Sequence, residues 1–208
     1  MQNVLSIPTQ PPDRTSGSTD FAIIYSLLRR SGFSDPDART LVEPVLAEVE
    51  SLTDAEAVKK DRDPLPGVRD CISTLNTMGV LQTVATGNSR TKAHAKLSAA
   101  DVQYLLDLRC AAYGSATSDR AAIVRTAIRR AGLVTGGNSD RFSPSHTVVV
   151  GDTEADVVAG LDCGCRCVGV CTGSATREQL YAAGAHLVVD DLRIGLPAIK
   201  DLIESLWH

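Results

Sequence analysis

Two apolar stretches of the sequence end in polar residues that packing alone does not require. The first is Val84-Ala85-Thr86-Gly87-Asn88, in which a hydroxyl, a glycine and an amide follow one another. A hydroxyl and the backbone N–H groups at the start of a helix can bind a phosphate group. Thr86, Gly87 and Asn88 are therefore a candidate phosphate-binding turn. In the alternative interpretation, Thr86 or Asn88 only caps the helix predicted from Arg90.

The second stretch carries two carboxylates. Asp152 directly follows the apolar run Val148–Val150, and Asp156 comes four residues later on the next predicted helix. This spacing places both carboxylates on one side of the strand end, where they suit a hard cation with oxygen ligands such as Mg²⁺. Like charges at i and i+4 repel each other, so a cation between them would explain the pair. Alternatively, Asp152 is the N-cap of the helix and Asp156 is a solvated neighbour.

The elements that hold these residues alternate between helix and strand from Gly67 onwards. Helices are predicted over 68–78, 90–100, 119–131, 154–163, 176–182 and 192–206, and strands over 80–85, 108–113, 147–150, 166–170 and 186–189. This alternation is typical of βα units and predicts an α/β fold with a doubly wound parallel sheet. Ligands bind such sheets at the carboxyl ends of the strands, where both polar segments lie.

The N-terminal third of the chain has a different organisation. Residues 1–19 are irregular and rich in proline. A first amphipathic helix is predicted with Asp20 as its N-cap and Gly32 as its C-terminal stop, and a second covers about 36–60. The segment Asp63-Pro64-Leu65-Pro66-Gly67 interrupts all regular structure. We predict a lead-in and a small helical cap over residues 1–63, and an α/β core over residues 64–208.

Composition limits the partners that this chain can have. Its 208 residues carry a formal net charge of −4 without a basic block, and aromatic residues make up 4%, which argues against nucleic acid as a partner. No apolar run suits a membrane span and no signal peptide is evident. Four of six cysteines fall between Cys163 and Cys171; we interpret them as apolar fillers rather than a zinc site, in a reduced cytoplasmic protein.

The order of these motifs resembles that of a known family. Ala85-Thr86-Gly87-Asn88, followed much later by Val150-Gly151-Asp152-Thr153-Glu154-Ala155-Asp156, is similar to the second and fourth motifs of the haloacid dehalogenase (HAD) superfamily, especially its phosphoglycolate-phosphatase-like members. The resemblance extends from about Gly17 to the C-terminus and implies a Rossmannoid core. It makes Thr86 the phosphate-binding hydroxyl, Asp152 a Mg²⁺ ligand and Asp156 its acidic companion.

The resemblance also implies a basic residue that neutralises the phosphoryl group. Lys96, on the helix predicted over 90–100, and Arg120, near the start of the helix predicted over 119–131, are the two candidates. We favour Arg120 because it lies nearer the position of the family's lysine. Either one could instead be an ordinary surface residue.

One element of the family's chemistry is missing from the sequence. The family's nucleophile and general acid/base lie in an Asp-x-Asp-x-Thr segment that ends its first strand, whereas Asp13 follows two prolines and has no aspartate at i+2. We expect the chain to begin inside the cap and to lack a central strand between the strands that end at Ala85 and Val150. Val4–Ile7 is a poor substitute because it is short and ends at Pro8. Residues 1–19 should accordingly be poorly packed.

These observations predict a HAD-like phosphomonoesterase by ancestry. It would use Mg²⁺ and a small phosphorylated substrate, but it should be inactive as written because the nucleophilic aspartate is absent. The alternative is a catalytically dead binding or scaffolding homologue that keeps an anion site. A carbon–halogen hydrolase is disfavoured, because Thr86-Gly87-Asn88 and the paired acids suit phosphate and magnesium.

Overall fold

A computed structural model describes residues 17–51, 64–136 and 142–206 of the chain. The helices in these ranges are α1 (Asp20–Arg30), α2 (Asp35–Ser51), α3 (Val68–Thr77), α4 (Arg90–Ala99), α5 (Arg120–Val134), α6 (Glu154–Leu161), α7 (Arg177–Ala182) and α8 (Leu192–Glu204). The strands are β1 (Ala85–Thr86), β2 (Ala112–Tyr113), β3 (Val148–Gly151), β4 (Arg166–Val170) and β5 (Leu187–Val189). The predicted alternation of helix and strand is confirmed, and residues 52–60 of the second predicted helix lie outside the described residues.

All strand pairs in the described ranges are parallel, as predicted for an α/β fold. β1 pairs with β2, while β4 pairs with β3 and β5. They form two sheets, one of two strands and one of three. The strand predicted over 80–85 is too long, because only Ala85 and Thr86 adopt regular strand structure. Residues 80–84 have the β2 segment on one side and no described strand on the other, so most of this stretch lacks a complete ladder.

Helices cover both faces of the three-stranded sheet. Val168 and Val170 of β4 pack with α3 and α8 residues, including Leu75 and Ile199. Cys167, on the opposite face of β4, packs in a second cluster with α6 and α7 residues; its members include Val157, Leu180 and Val188. Because successive strand residues face opposite sides, the run of four buried residues in β4 requires this double covering. The doubly wound arrangement is thereby confirmed.

Helices α1 and α2 pack on each other through a cluster of their own. Its buried members are Ile24, Leu28, Ala38, Val42 and Leu46. The periodic apolar residues of the two predicted helices form this cluster, which explains why the pair is amphipathic. The division into a cap over 1–63 and a core over 64–208 stays a prediction.

The segment that leads into α1 packs on the α/β core. Thr19 is buried, and the backbone N–H groups of Asp20 and Phe21 donate to the carbonyls of Gly87 and Gly114 at 2.7 and 3.0 Å. The prediction of poor packing is therefore wrong for residues 17–19, while residues 1–16 lie outside the described ranges. Thr19, rather than Asp20, caps α1, because its hydroxyl accepts from Ala22 N at 3.0 Å.

Candidate functional site

The turn after β1 is held by hydrogen bonds among polar side chains. Thr86 Oγ1 accepts from the backbone N and the side-chain Nδ2 of Asn88 at 3.2 and 3.0 Å, and Asn88 Oδ1 accepts from Lys96 Nζ at 3.1 Å. Since the Thr86 hydroxyl accepts both bonds, its own proton can be donated to an anion.

The interpretation of Thr86 or Asn88 as the helix cap is wrong. Ser89 is the N-cap of α4, and its buried hydroxyl accepts from Lys92 N at 3.4 Å. Because Ser89 caps α4, neither Thr86 nor Asn88 is needed as the helix cap. Their polar side chains are therefore available for another role. The phosphate-binding role of Thr86, Gly87 and Asn88 stays a prediction.

The carboxylates after β3 are not arranged as the capping interpretation requires. Thr153, and not Asp152, is the N-cap of α6, and it forms a capping box with Asp156. Thr153 N and Oγ1 lie 3.2 and 2.7 Å from Asp156 Oδ2. Asp156 is not a solvated neighbour either, because its side chain is 17% exposed. Asp152 therefore does not cap α6.

Arg120 connects the two strand ends. Its Nη2 donates to Asp156 Oδ1, its Nη1 donates to the carbonyl of Gly17 at 3.2 Å, and the side chain is 18% exposed. A Cβ placed on Gly87 would lie 2.7 Å from the same Nη1, so Gly87 allows the guanidinium to approach the β1 turn closely. Arg120 occupies this position because α5 begins there, after its N-cap Asp119. Lys96, the other candidate cation, donates to Asn88 and so lies on the β1 side.

Asp152 lies in an environment that disfavours its charge. Burial raises the pKa of this carboxyl, and the neighbouring Asp156 raises it further, while a backbone hydrogen bond and Arg120 act in the opposite direction. Gly173 approaches so closely that a Cβ there would lie 2.5 Å from Asp152 Oδ2. A partly desolvated carboxylate beside a second acid is an environment in which a bound cation lowers the electrostatic free energy.

The donor set fits a Mg²⁺ ion held chiefly by Asp152. Mg²⁺ in proteins keeps several waters and is bound by one or two carboxylates, so one carboxylate with space for water is sufficient. Both Asp156 oxygens already accept hydrogen bonds, from Thr153 and from Arg120, which suits a companion better than a ligand. Among the described residues, no group of three or more His, Cys, Asp or Glu side chains could hold a metal ion.

Asp20, a buried acid that the sequence indicated only as a helix cap, joins α1 to the β1 turn. Asp20 Oδ2 accepts from Ser89 N at 2.7 Å, and its Oδ1 pairs with Lys92 Nζ at 3.0 Å. Asp20 and Ser89 are 69 positions apart in the chain, so no local spacing could have indicated this contact. It fixes the segment before α1 against the turn that carries Thr86.

The cysteines lie within packed regions. All six thiols are free, and burial raises the pKa of Cys165 to about 12 and that of Cys167 to about 11. Cys167 belongs to the cluster with Val157 and Leu180, while Cys165 packs near Ala159. Thiols of such high pKa are protonated at neutral pH and pack as small apolar side chains. This packing supports the interpretation of Cys165 and Cys167 as fillers.

Comparison with known proteins identifies the fold. Residues 120–194 match the family model described as HAD-hydrolase-like. A "Probable phosphoglycolate phosphatase" from Pseudomonas putida is 36% identical over 59 residues, which are 28% of this chain and 24% of that protein. A hydrolase from Pseudomonas syringae superposes with a TM-score of 0.66 at 21% identity, covering 91% of this chain and 81% of the other.

A "HAD hydrolase, family IA, variant 3" from Entamoeba histolytica gives a TM-score of 0.58 at 16% identity, with 91% of this chain and 79% of the other covered. The chain has the haloacid dehalogenase-like fold. The family match starts at Arg120 and contains Asp152 and Asp156, so the HAD resemblance of the second half is confirmed in sequence as well as in fold. No helix within the described ranges has the length and apolarity needed to cross a membrane.

Proposed function

We propose that this HAD-like protein binds the phosphate group of a small phosphorylated metabolite at the carboxyl ends of β1 and β3. The observation that carries the proposal is the position of Arg120, which lies close to Gly87 beside Thr86 and pairs with Asp156 beyond β3. A cation, a hydroxyl donor and a half-buried carboxylate then share one edge of the fold, where ligands of parallel sheets bind.

Each residue of the site has a distinct task in this proposal. Thr86 donates its hydroxyl proton to a phosphate oxygen, and the guanidinium of Arg120 offers N–H groups beyond the two used on Gly17 and Asp156. Lys96 holds Asn88 and adds positive charge behind the turn. Asp152 would hold Mg²⁺, which when bound supplies further positive charge to the phosphate oxygens.

Binding without turnover is the form of this function that the 208-residue chain supports. Phosphoryl transfer through a covalent intermediate needs an unpaired carboxylate facing phosphorus. Asp156 is engaged by Arg120 and Thr153, Asp20 by Lys92 and Ser89, and Asp152 is the proposed metal ligand. The sequence holds no Asp-x-Asp-x-Thr segment that could supply another.

The name of the Pseudomonas putida relative supports a phosphorylated small molecule as the ligand class. The match covers 28% of this chain and 24% of that protein, so it supports the ligand class and not the identity of the metabolite. We propose that the helical pair α1–α2 decides which metabolite is bound. We propose that the ligands share a phosphate group and that the cap selects the rest of the ligand.

The test is titration of the protein with inorganic phosphate by calorimetry, in the presence and absence of Mg²⁺. Thr86→Val should weaken binding by about tenfold, since one hydrogen bond to a charged group is removed. Thr83→Val is the matched control, because Thr83 precedes the same turn and its hydroxyl donates to Asp107 O at 2.8 Å instead. Equal phosphate affinity of the Thr86 variant and the control would contradict the proposed site.

A further inference from the structure

A single residue of α1 holds the backbone of the β1 turn at two successive points. The backbone N–H of Asp20 donates to the carbonyl of Gly87 at 2.7 Å. Its carboxylate oxygen Oδ2 accepts from the N–H of Ser89, also at 2.7 Å. The first bond involves the peptide unit between residues 87 and 88, and the second involves the unit between residues 88 and 89. Asp20 therefore fixes the planes of two consecutive peptide units.

The first of these units contains the amide that faces Thr86. A trans peptide unit is planar, so its C=O and N–H groups point in opposite directions. Since the Gly87 carbonyl points to Asp20, the Asn88 N–H of the same unit points to the opposite side. That N–H donates to Thr86 Oγ1 at 3.2 Å. Asp20 thereby sets the plane of the amide that orients the Thr86 hydroxyl.

Backbone groups of the core hold the turn from its other side. Gly114 N donates to the carbonyl of Asn88 at 2.9 Å. A Cβ on Gly87 would lie 2.6 Å from the carbonyl oxygen of Ser18, so the segment that leads into α1 lies directly against the turn. The turn is thus enclosed between α1 and Gly114. A side chain that alters the α1 contact alters the position of the turn.

The carboxylate of Asp20 is not needed to begin α1, because Thr19 is the N-cap of that helix. The Asp20 side chain is 10% exposed. Burying a charge costs free energy unless the charge is paired and hydrogen-bonded, and a negative charge near the turn repels phosphate. Lys92 Nζ lies 3.0 Å from Asp20 Oδ1 and offsets that charge. The strong hydrogen bond that a carboxylate accepts from a backbone N–H explains why an acid is placed here.

We infer that Asp20 is a positioning residue of the phosphate site. Its carboxylate holds the Ser89 N–H, and its own N–H holds the Gly87 carbonyl. Together these bonds keep the turn in the conformation in which the Thr86 hydroxyl meets a phosphate oxygen. The inference rests on the proposed function, since it needs phosphate at this turn. Asp20 acts through the turn and has no contact with the phosphate itself.

Titration of Asp20 variants with inorganic phosphate by calorimetry tests this role. Asp20→Ala removes the acceptor and should weaken phosphate binding by about tenfold, because the turn is no longer held in its binding conformation. Asp20→Asn keeps an oxygen at the same position without the charge, and its affinity should stay within about threefold of that of the unmodified protein. Asp20→Glu keeps the charge but moves the acceptor by one methylene group, so it should weaken binding as Ala does. It also replaces Asp20→Ala if that variant does not fold.

Asp191→Ala is the matched control for the loss of a mostly buried acid. The Asp191 side chain is 14% exposed and pairs with Arg193 at 3.4 Å, and its Oδ1 accepts from Ile194 N at 2.8 Å. It is the N-cap of α8, after β5, and not part of the β1 turn. This variant should leave the phosphate affinity unchanged.

Amide hydrogen exchange in the absence of phosphate measures the turn directly. The Ser89 amide should exchange about tenfold faster in Asp20→Ala and Asp20→Glu than in the unmodified protein, and Asp20→Asn should restore its protection. The amides of β4, which has a strand on each side, report on unfolding of the whole domain and should not change in step with Ser89. A general loss of stability would accelerate both sets of amides together.

Three results would overturn the positioning role of Asp20. These are unchanged or tighter phosphate binding in Asp20→Ala and Asp20→Glu, an equal loss of affinity in Asp20→Asn, and an equal loss in Asp191→Ala. Ser89 exchange that is the same in every Asp20 variant would also overturn it. Phosphate binding that depends on Thr86 but not on Asp20 refutes this inference alone, whereas an unmodified protein that binds no phosphate refutes the proposed function and this inference with it.

Discussion

The two strand ends at the candidate site differ in charge and in what holds them. The end of β1 presents a hydroxyl and an amide with Lys96 behind them, whereas the end of β3 presents Asp152 and Asp156. The first suits an anion and the second suits a cation. Arg120 pairs with Asp156 and lies close to Gly87, which supports the proposal that the two ends form one site.

The contacts that hold the carboxyl ends of β1 and β3 also differ. β3 belongs to a three-stranded sheet with a four-residue register to β4, so packing and ladder bonds hold the acidic end. β1 has two paired residues, and its turn is held by close backbone approach and by Asp20. A Cβ on Gly114 would lie 2.2 Å from Gly87 O, so this approach requires glycine at that position. The acidic end depends on the sheet, and the hydroxyl end depends on long-range polar contacts.

The largest expected effect comes from adding a nucleophile, since the residues proposed at the two strand ends bind phosphate and Mg²⁺ and none is proposed to attack phosphorus. The 208-residue chain should show no Mg²⁺-dependent hydrolysis of p-nitrophenyl phosphate above a blank. Adding an upstream segment that ends in Asp-x-Asp-x-Thr should raise the rate by several orders of magnitude, because positioning and electrostatics cannot replace the attacking atom. Release of p-nitrophenol measures both proteins.

Asp152→Asn in the extended protein is the control for this prediction and should abolish the restored rate, because it removes the charge at the proposed metal ligand. If the 208-residue chain hydrolyses the ester and neither Thr86→Ala nor Asp152→Asn lowers that rate, the assigned site is wrong. Hydrolysis of halo-acids in place of phosphate esters would favour the carbon–halogen alternative.

The second prediction concerns the residue that joins the two ends. Arg120→Ala leaves Asp156 without its ion pair in a mostly buried position, and we expect the free energy of unfolding to fall by about 2–4 kcal/mol. Urea denaturation measures this change. Arg125→Ala is the matched control from the same helix, because the Arg125–Asp119 pair is 52% exposed on both sides and should contribute less than about 1 kcal/mol.

A loss for Arg120→Ala no larger than that for Arg125→Ala would show that the two strand ends are not coupled through this side chain. The turns after β1 and β3 would then be independent of each other. Phosphate titration of the Arg120 variant would separate these outcomes further, because loss of a charged donor should weaken phosphate binding even where stability is unchanged.

The sequence predicted the parts of this site that depend on local pattern. Helix and strand periods around Thr86 and Asp152 are regular, so the periodicity by itself places both residues at strand ends. The predicted cap of α1 is displaced by one residue, from Asp20 to Thr19. In the alternative interpretations Thr86 or Asn88 capped α4 and Asp152 capped α6, and the observed caps, Ser89 and Thr153, directly follow Asn88 and Asp152. Capping depends on the backbone angles of one residue, which neighbouring Ser, Thr, Asn and Asp residues satisfy almost equally well.

The contacts that complete the site could not be predicted from spacing. Arg120 bonds to Gly17 across 103 positions, and Asp20 bonds to Ser89 across 69. Such pairs depend on the packing of α1 and α5 against the core, which periodicity does not specify. β1 is shorter than predicted because regular strand structure needs a hydrogen-bonded neighbouring strand, which the composition of residues 80–85 does not reveal.

The third prediction compares the capping boxes of α6 and α7. Thr153→Ala should lower the free energy of unfolding by about 1–2 kcal/mol, since it removes the N-cap and one donor to the partly buried Asp156. Thr176→Ala is the matched control, because its box with Gln179 is exposed, and it should cost about 1 kcal/mol or less. Thermal unfolding of both variants measures the difference, and equal losses would show that Asp156 does not depend on the cap.

The smallest expected effect concerns Asp152, whose replacement by Asn should raise rather than lower the free energy of unfolding. The pKa of Asp152 is raised in the folded protein, so the folded state binds its proton more tightly than the unfolded state does. The stability that this carboxyl contributes is therefore present below its ordinary pKa and is lost as the pH rises through the raised value. At pH 7 the ionised carboxylate destabilises the fold, and Asp152→Asn should raise the free energy of unfolding by about 0.5 kcal/mol, a figure reduced for partial exposure.

Urea denaturation at pH 7 and near pH 3 measures the pH dependence of this gain, which should vanish at the lower pH, where Asp152 is protonated in both states. Asp201→Asn, at an exposed position on α8, is the matched control and should show no such gain. Millimolar Mg²⁺ should raise the melting temperature of the unmodified protein and not that of Asp152→Asn, since binding to the folded state alone stabilises it. If Asp152→Asn is less stable than the unmodified protein at pH 7 without Mg²⁺, structural partners hold the Asp152 carboxylate. That result would contradict the proposal that the β3 end binds the cation.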